Sequence, residues 1–236
     1  MKKIFCIFVL FGVSLIFGYE APYKLEKFQT VLDHSKLQAP LSSFDPKWSI
    51  PYGKFQNRAN RYFYLEDNQY MAFFMCGKKH RSELREQNIW QVETKKKHIL
   101  YAEVKILPLD NKKEFTFIQI HSDPSVNSTI LLNKPLLRIV WRKNYHNIKN
   151  HLWAIICTNT DQKHFTYTKI DLGERGSNFS SFRITVMNSQ LIIIRDNQKK
   201  VTFDISYWNG IWNYFKAGTY LQSNGCAKVL FKKLVF

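Results

Sequence analysis

Acidic residues are scarce in this chain. Asp and Glu number 18 against 35 Lys and Arg in 236 residues, a formal charge of +17. Such an excess implies a polyanionic partner or surface: nucleic acid, an anionic membrane or an acidic polysaccharide. Other absences narrow the choice. No helix-turn-helix, zinc finger or other DNA-reading pattern is visible, which argues against nucleic acid. There is no Cys-x-x-Cys or His-x-x-x-His spacing, so no structural metal is expected, and no nucleotide-binding glycine motif, so no redox cofactor is expected. No apolar run reaches the length of about 20 residues needed to span a bilayer. Internal repeats, low-complexity tracts and linkers are also missing.

What is present begins with a leader-like segment. Lys2 and Lys3 precede the apolar run Ile4 to Phe17, and Gly18 offers a small residue for cleavage. Residues 1–18 are therefore expected to be a secretory signal and 19–236 the mature domain, exported or periplasmic, acting as a monomer, with no stable membrane insertion. An uncleaved N-terminal anchor is the alternative reading. Cys6 lies inside the run with no lipobox before it. Of Cys76, Cys157 and Cys226, two can form one disulfide and the third is left over. His146 and His151 read as part of a solvated basic loop.

Hydrophobic residues at 45% and aromatics at 16% are enough to bury a substantial core in one domain of this length. Pro22, Pro40, Pro46 and Pro51 interrupt residues 19–54, which are expected to wrap the core as irregular chain with short regular pieces. Beyond Arg58, alternation dominates. Leu100, Ala102, Val104 and Ile106 share one strand face, with Tyr101, Glu103 and Lys105 on the other; Leu137, Ile139 and Trp141 alternate with Arg138, Val140 and Arg142. Further strands are expected within 153–157, 182–186, 191–195 and 201–205, with Asp196-Asn197 and Asn209-Gly210 as turns. Short strands at this spacing, without long amphipathic helices, predict an all-β sandwich or jelly roll.

Three strings carry the chemistry: Arg81-Ser82-Glu83-Leu84-Arg85-Glu86, Gln119-Ile120-His121 and Tyr214-Phe215-Lys216-Ala217-Gly218-Thr219-Tyr220. On a strand, alternate side chains share a face, so Arg81, Glu83 and Arg85 point together, as do Gln119 and His121, and Tyr214, Lys216 and Tyr220. Guanidinium, amide, imidazole, ammonium and phenol groups on one surface suit the binding and chemical attack of a carboxylate-bearing substrate. Each has a bland alternative: a cross-strand charge ladder for the Arg81/Glu83/Arg85 string, a structural histidine, packing tyrosines.

In order and spacing these strings resemble the three blocks of polysaccharide lyase family 7, the alginate lyases: Arg-(Ser/Thr)-Glu-(Leu/Val)-Arg, Gln-(Ile/Val)-His and Tyr-Phe-Lys-Ala-Gly-x-Tyr. The third block departs at its end, with Leu221 before Gln222 where the family commonly has Asn before Gln, which bears on subsite detail rather than reaction class. The resemblance implies a two-sheet β-jelly roll with a concave substrate groove and β-elimination of a 4-linked polyuronate. Ile120 is associated in the family with guluronate-containing substrates.

β-Elimination removes the C5 proton beside a carboxylate, so cationic and donor groups that stabilise the charge building on that carboxylate lower the barrier. Arg81 and Gln119 are the candidates for this neutralising role, which the resemblance also assigns to them. His121 is the natural base, and Tyr220 can protonate the departing O4 or, as a phenolate, serve as base itself. Glu83, Arg85, Tyr214 and Lys216 are expected to bind neighbouring uronates or hold the catalytic groups, Glu83 by orienting the arginines. Residues 122–134 are expected to flank the groove, as a lid or as an ordinary connection. A catalytically silent jelly-roll module binding anionic glycans, and a basic secreted protein adhering to anionic cell surfaces, are the competing readings.

Overall fold

Alternating apolar residues make two antiparallel sheets whose inner faces pack on one another. The computed structural model describes residues 18–126 and 132–236. Almost all of the expected leader therefore lies outside the described residues, as does the tip of the 122–134 segment. The first sheet runs, in spatial order, β1 (Ser35–Gln38), β4 (Arg81–Glu86), β14 (Trp212–Leu221), β7 (Glu114–Ser122), β8 (Pro135–Tyr145), β9 (Ile148–Cys157) and β10 (Tyr167–Glu174), with the short β5 (Trp90–Gln91) paired to the start of β14. The second runs β13 (Lys199–Asp204), β12 (Gln190–Arg195), β11 (Ser180–Met187), β6 (His98–Leu109), β15 (Cys226–Val235), β3 (Tyr70–Cys76) and β2 (Phe63–Glu66). The chain crosses repeatedly between sheets, as in a jelly roll.

Between the sheets lies one main core. Phe117 of β7 meets Phe182 of β11 edge-on with ring centres 5.5 Å apart, and Phe73 of β3 meets Phe231 of β15 at 5.6 Å. The proline-interrupted segment contributes a single turn of 3₁₀ helix, β1 and α1 (Glu26–Asp33), whose Phe28, Val31 and Leu32 recur at helical spacing and are buried against the core. No helix among the described residues is long and apolar enough to cross a membrane.

Tight turns between strands use residues that accept positive φ. Asp196 and Asn197 have φ of 49° and 54°, and Gly210 has φ of 78°, as expected of both turn pairs. His146 and Asn147 do the same between β8 and β9, at 46° and 65°. His151 is therefore not in a solvated loop: it lies in β9, where its Nδ1 is 2.9 Å from Asp171 of β10. β9 begins at Ile148, directly after the turn, which polarity alone does not reveal.

Cys76 and Cys226 are direct partners across β3 and β15 and form the disulfide, leaving Cys157 free and buried. The bridge ties together the two crossovers that lead into Arg81 and out of Tyr220.

Candidate active site

Three neighbouring strands of the first sheet bring the three strings together. In β14, Lys216 pairs in register with Arg85 on one side and Gln119 on the other, Tyr214 with His121, and Tyr220 with Arg81. Intervening residues Leu84, Ile118, Ile120, Phe215 and Ala217 are buried in the core and anchor this arrangement. A bulge in β14 keeps it in place. Gly218 has φ of 144°, and a Cβ there would lie 2.2 Å from the Ser82 carbonyl oxygen of β4. Only glycine permits that approach, and the unbroken pairing with β4 leaves Tyr220, two residues on, on the face shared by Tyr214 and Lys216.

Above these strands is a cleft of about 390 Å³, lined by Arg81, Gln119, His121, Tyr214, Lys216 and Tyr220, together with Gln38, Ser42, Asn133, Lys134, Pro135, Arg138 and Tyr167. Six of the eight expected site residues thus line one groove. The other two, Glu83 and Arg85, lie beside it and organise it.

Glu83 is fully buried and accepts from three sides. Lys216 Nζ is 2.6 Å away, Gln119 Nε2 donates at 2.5 Å, and Arg81 Nη1 lies at 3.4 Å. Burial alone would raise the Glu83 carboxyl, but Lys216, Arg81 and the hydrogen bonds outweigh it and hold it below the usual carboxylate range. It therefore stays ionised and fixes the Gln119 amide with its NH2 edge engaged. Burial brings the Lys216 ammonium down to about 8 despite the opposing attraction of Glu83. Arg81 also lies against Tyr220, its guanidinium carbon 4.4 Å from the ring centre.

A second chain of contacts positions the imidazole. Asp123 accepts from Arg85 Nη2 at 2.6 Å, Arg85 stacks on Tyr214 at 4.0 Å, and Tyr214 lies nearly parallel to His121 at 5.7 Å between ring centres. His121 Nδ1 is 2.8 Å from the Ser122 carbonyl, which can only accept, so Nδ1 carries the proton and Nε2 keeps its lone pair. The Tyr214 hydroxyl is 3.5 Å from the same Nδ1. Burial, then Lys216, pushes the imidazole down to about 4, so it is neutral at pH 7. Burial also raises the Tyr214 phenol to about 12.

Comparison with known proteins identifies the family. Residues 31–236 match the family described as alginate lyase. The chain belongs to that family. It is a polysaccharide lyase. A curated alginate lyase from Photobacterium sp. (strain ATCC 43367) is 32% identical, over 85% of this chain and 81% of the relative. The solved alginate lyase AlyC3, in complex with dimannuronate, superposes with a TM-score of 0.82 at 30% identity, covering 92% of this chain and 94% of that one. Alginate lyase A1-II', a member of polysaccharide lyase family 7, shares the fold at 19% identity with a TM-score of 0.71, over 89% and 96% of the two chains.

Sequence reasoning missed several groove residues of the lyase. Arg138 pairs in register with Gln119, and its outward position was legible from the alternation in β8. Lys134 and Asn133 arrive from the segment after His121, whose ends are pinned by Ser122: its Oγ lies 2.5 Å from the Leu132 carbonyl, to which it donates, and accepts from the Lys134 backbone N–H at 3.0 Å. Tyr167 comes from β10 and Gln38 from β1, contributions that no local pattern announces. At the departing end of the third string, Leu221 is buried in the core and Gln222 donates to Thr116 at 2.6 Å.

Proposed function

We propose that the lyase is secreted or periplasmic, acts as a monomer, and cleaves guluronate-containing alginate by β-elimination, with Arg81 and Gln119 neutralising the substrate carboxylate. The observation that carries this reading is the convergence of Arg81, Gln119, His121 and Tyr220 on one groove. A uronate carboxylate set against the Arg81 guanidinium and the free N–H of Gln119 would be stabilised as negative charge accumulates on it. His121 Nε2, neutral and unprotonated, takes the C5 proton; the C5 electron pair forms the C4=C5 double bond as the C4–O4 bond breaks; the Tyr220 hydroxyl protonates O4. Guluronate and mannuronate are C5 epimers and present that proton on opposite faces. Tyr220 as phenolate is accordingly the alternative base where His121 is on the wrong side. Glu83 and Arg85 hold the neutralising and basic groups through their contacts, while Lys216 and Tyr214 reach the groove.

A related lyase has been crystallised with dimannuronate, so mannuronate blocks are the second substrate to assay. The test is the ultraviolet absorbance of unsaturated uronate ends formed from polyguluronate, polymannuronate and alternating alginate. His121→Ala and Tyr220→Phe are each expected to lower kcat by about 10²–10⁴-fold on polyguluronate. Retained polymer binding with no absorbance change in the unmutated chain would favour a silent glycan-binding module instead.

A further inference from the structure

The catalytic groove is not the largest cavity of the molecule. A cleft of about 910 Å³ opens elsewhere, lined mainly by β6, β11 and β15 of the second sheet and the β5–β6 connection. Glu86 and Phe215 of the first sheet form part of its wall, and each is the chain neighbour of a residue, Arg85 or Tyr214, on the catalytic face; alternation along β4 and β14 therefore puts this wall on the opposite face of the first sheet from the groove.

The rim of this cleft is cationic. Lys96 and Lys97 come from the connection between β5 and β6, Arg183 from β11 and Lys233 from β15, and all four are exposed. None is in an ion pair among the described residues. Arg183 and Lys233 converge on Tyr101, each with its charged group 5.4 Å from the ring centre. The nearby carboxylates are already engaged. Glu103 accepts from the Tyr101 hydroxyl at 3.1 Å and lies 3.5 Å from Lys232, and Asp196 is 3.2 Å from Arg195. Glu86 is buried and accepts from the Phe215 backbone N–H at 2.9 Å and the Trp90 indole at 3.3 Å. The cations are therefore in excess around a concave opening, where low-dielectric walls concentrate their field.

We propose that this cleft is a second, non-catalytic site that takes the carboxylates of a polyuronate segment. It rests on the reading of the groove as a polyuronate site. A long polymer held there would raise the local concentration of strand around the groove, whereas an oligomer too short to reach both would gain nothing. Because its cations are exposed, binding at the cleft weakens with salt.

The test is calorimetric titration of a hexauronate into the His121→Ala chain and into the same chain carrying Arg183→Ala and Lys233→Ala. Two equivalents falling to one is the expected result. In the otherwise unmutated enzyme, the Arg183→Ala/Lys233→Ala pair should raise KM about three- to tenfold on long polymer and leave the constants for a tetramer unchanged. Lys96→Ala/Lys97→Ala, altered in a connection rather than a strand, provides the same readout should the first pair fail to fold. One equivalent throughout, or none while the unmutated chain still releases unsaturated product from the hexamer, would overturn the cleft. No unsaturated product from the unmutated chain would sink the groove reading instead, and an equivalent still lost with Arg183 and Lys233 would uphold the cleft. Equal binding of a sulfated hexasaccharide would overturn the assignment to carboxylates.

Discussion

Glu83 shows how one side chain organises a charged site without lining it. Its carboxylate faces Lys216, Gln119 and Arg81 at once, so Glu83→Gln removes the counter-charge of a buried ammonium and sets an NH2 group against the Gln119 amide. Leaving one partner of a buried pair uncompensated costs about 3–5 kcal/mol, and the variant should melt earlier by that measure. Its kcat/KM should fall about 10–100-fold as Gln119 and Arg81 lose their set orientations. Unchanged kinetics would show that the carboxylate is purely structural. The imidazole gives a second prediction. Held down to about 4, His121 binds a proton in the unfolded chain before the folded one, so the folded state loses stability as pH falls from about 6.5, the ordinary imidazole value, through about 4. With His121 as base, the acid limb of kcat/KM on polyguluronate should lie near 4. A limb at the ordinary imidazole value would contradict the burial argument. Side-chain alternation was enough to place Arg81, Gln119, His121, Tyr214, Lys216 and Tyr220 on one face. It could not reveal that Arg85 is turned to Asp123, 38 residues away, because that contact is made only when β4 and the end of β7 lie in one sheet.

At the scale of the element, the bulge in β14 sets the site. Between Ala217 and Tyr220 the register with β7 slips, and Gly218 fits against β4 because it has no side chain. In Gly218→Ala the methyl group would meet backbone atoms of Ser82 and Glu83 at 2.2 and 2.7 Å, and backbone cannot swing aside as a side chain can. The expected outcome is a loss of about 3 kcal/mol or more in denaturant unfolding, together with loss of activity as Tyr220 and Arg81 separate. A stable, active variant would mean that the two strands can part locally at little cost. The strands themselves were legible from their period of two, and the Asp196-Asn197 turn from its residue types. The His146-Asn147 turn was not, because Asn144, His146, Asn147 and Asn150 all tolerate positive φ, and only the pairing of β8 with β9 selects where the chain reverses.

The whole molecule carries a charge of +17, and the groove and the cationic cleft both present cations to solvent. Attraction of a polyanion by exposed cations is screened over about 10 Å at 0.1 M salt and about 3 Å at 1 M. KM on long alginate should therefore rise steeply with ionic strength, whereas kcat, set by the buried Glu83–Lys216 pair and the groove, should change little; a salt-independent KM would show that the charge serves something other than substrate capture. That charge excess and the all-β pattern were readable in the sequence; the separation of the cations into a groove on the first sheet and a cleft edged by strands of the second depends on the fold. The most direct test of the catalytic account is a crystal structure of the Tyr220→Phe chain with a bound tetrauronate. The account predicts one carboxylate against Arg81 and Gln119 with the adjoining C5 facing His121 Nε2; a tetramer in the groove with its carboxylates turned away from Arg81 and Gln119 would contradict it.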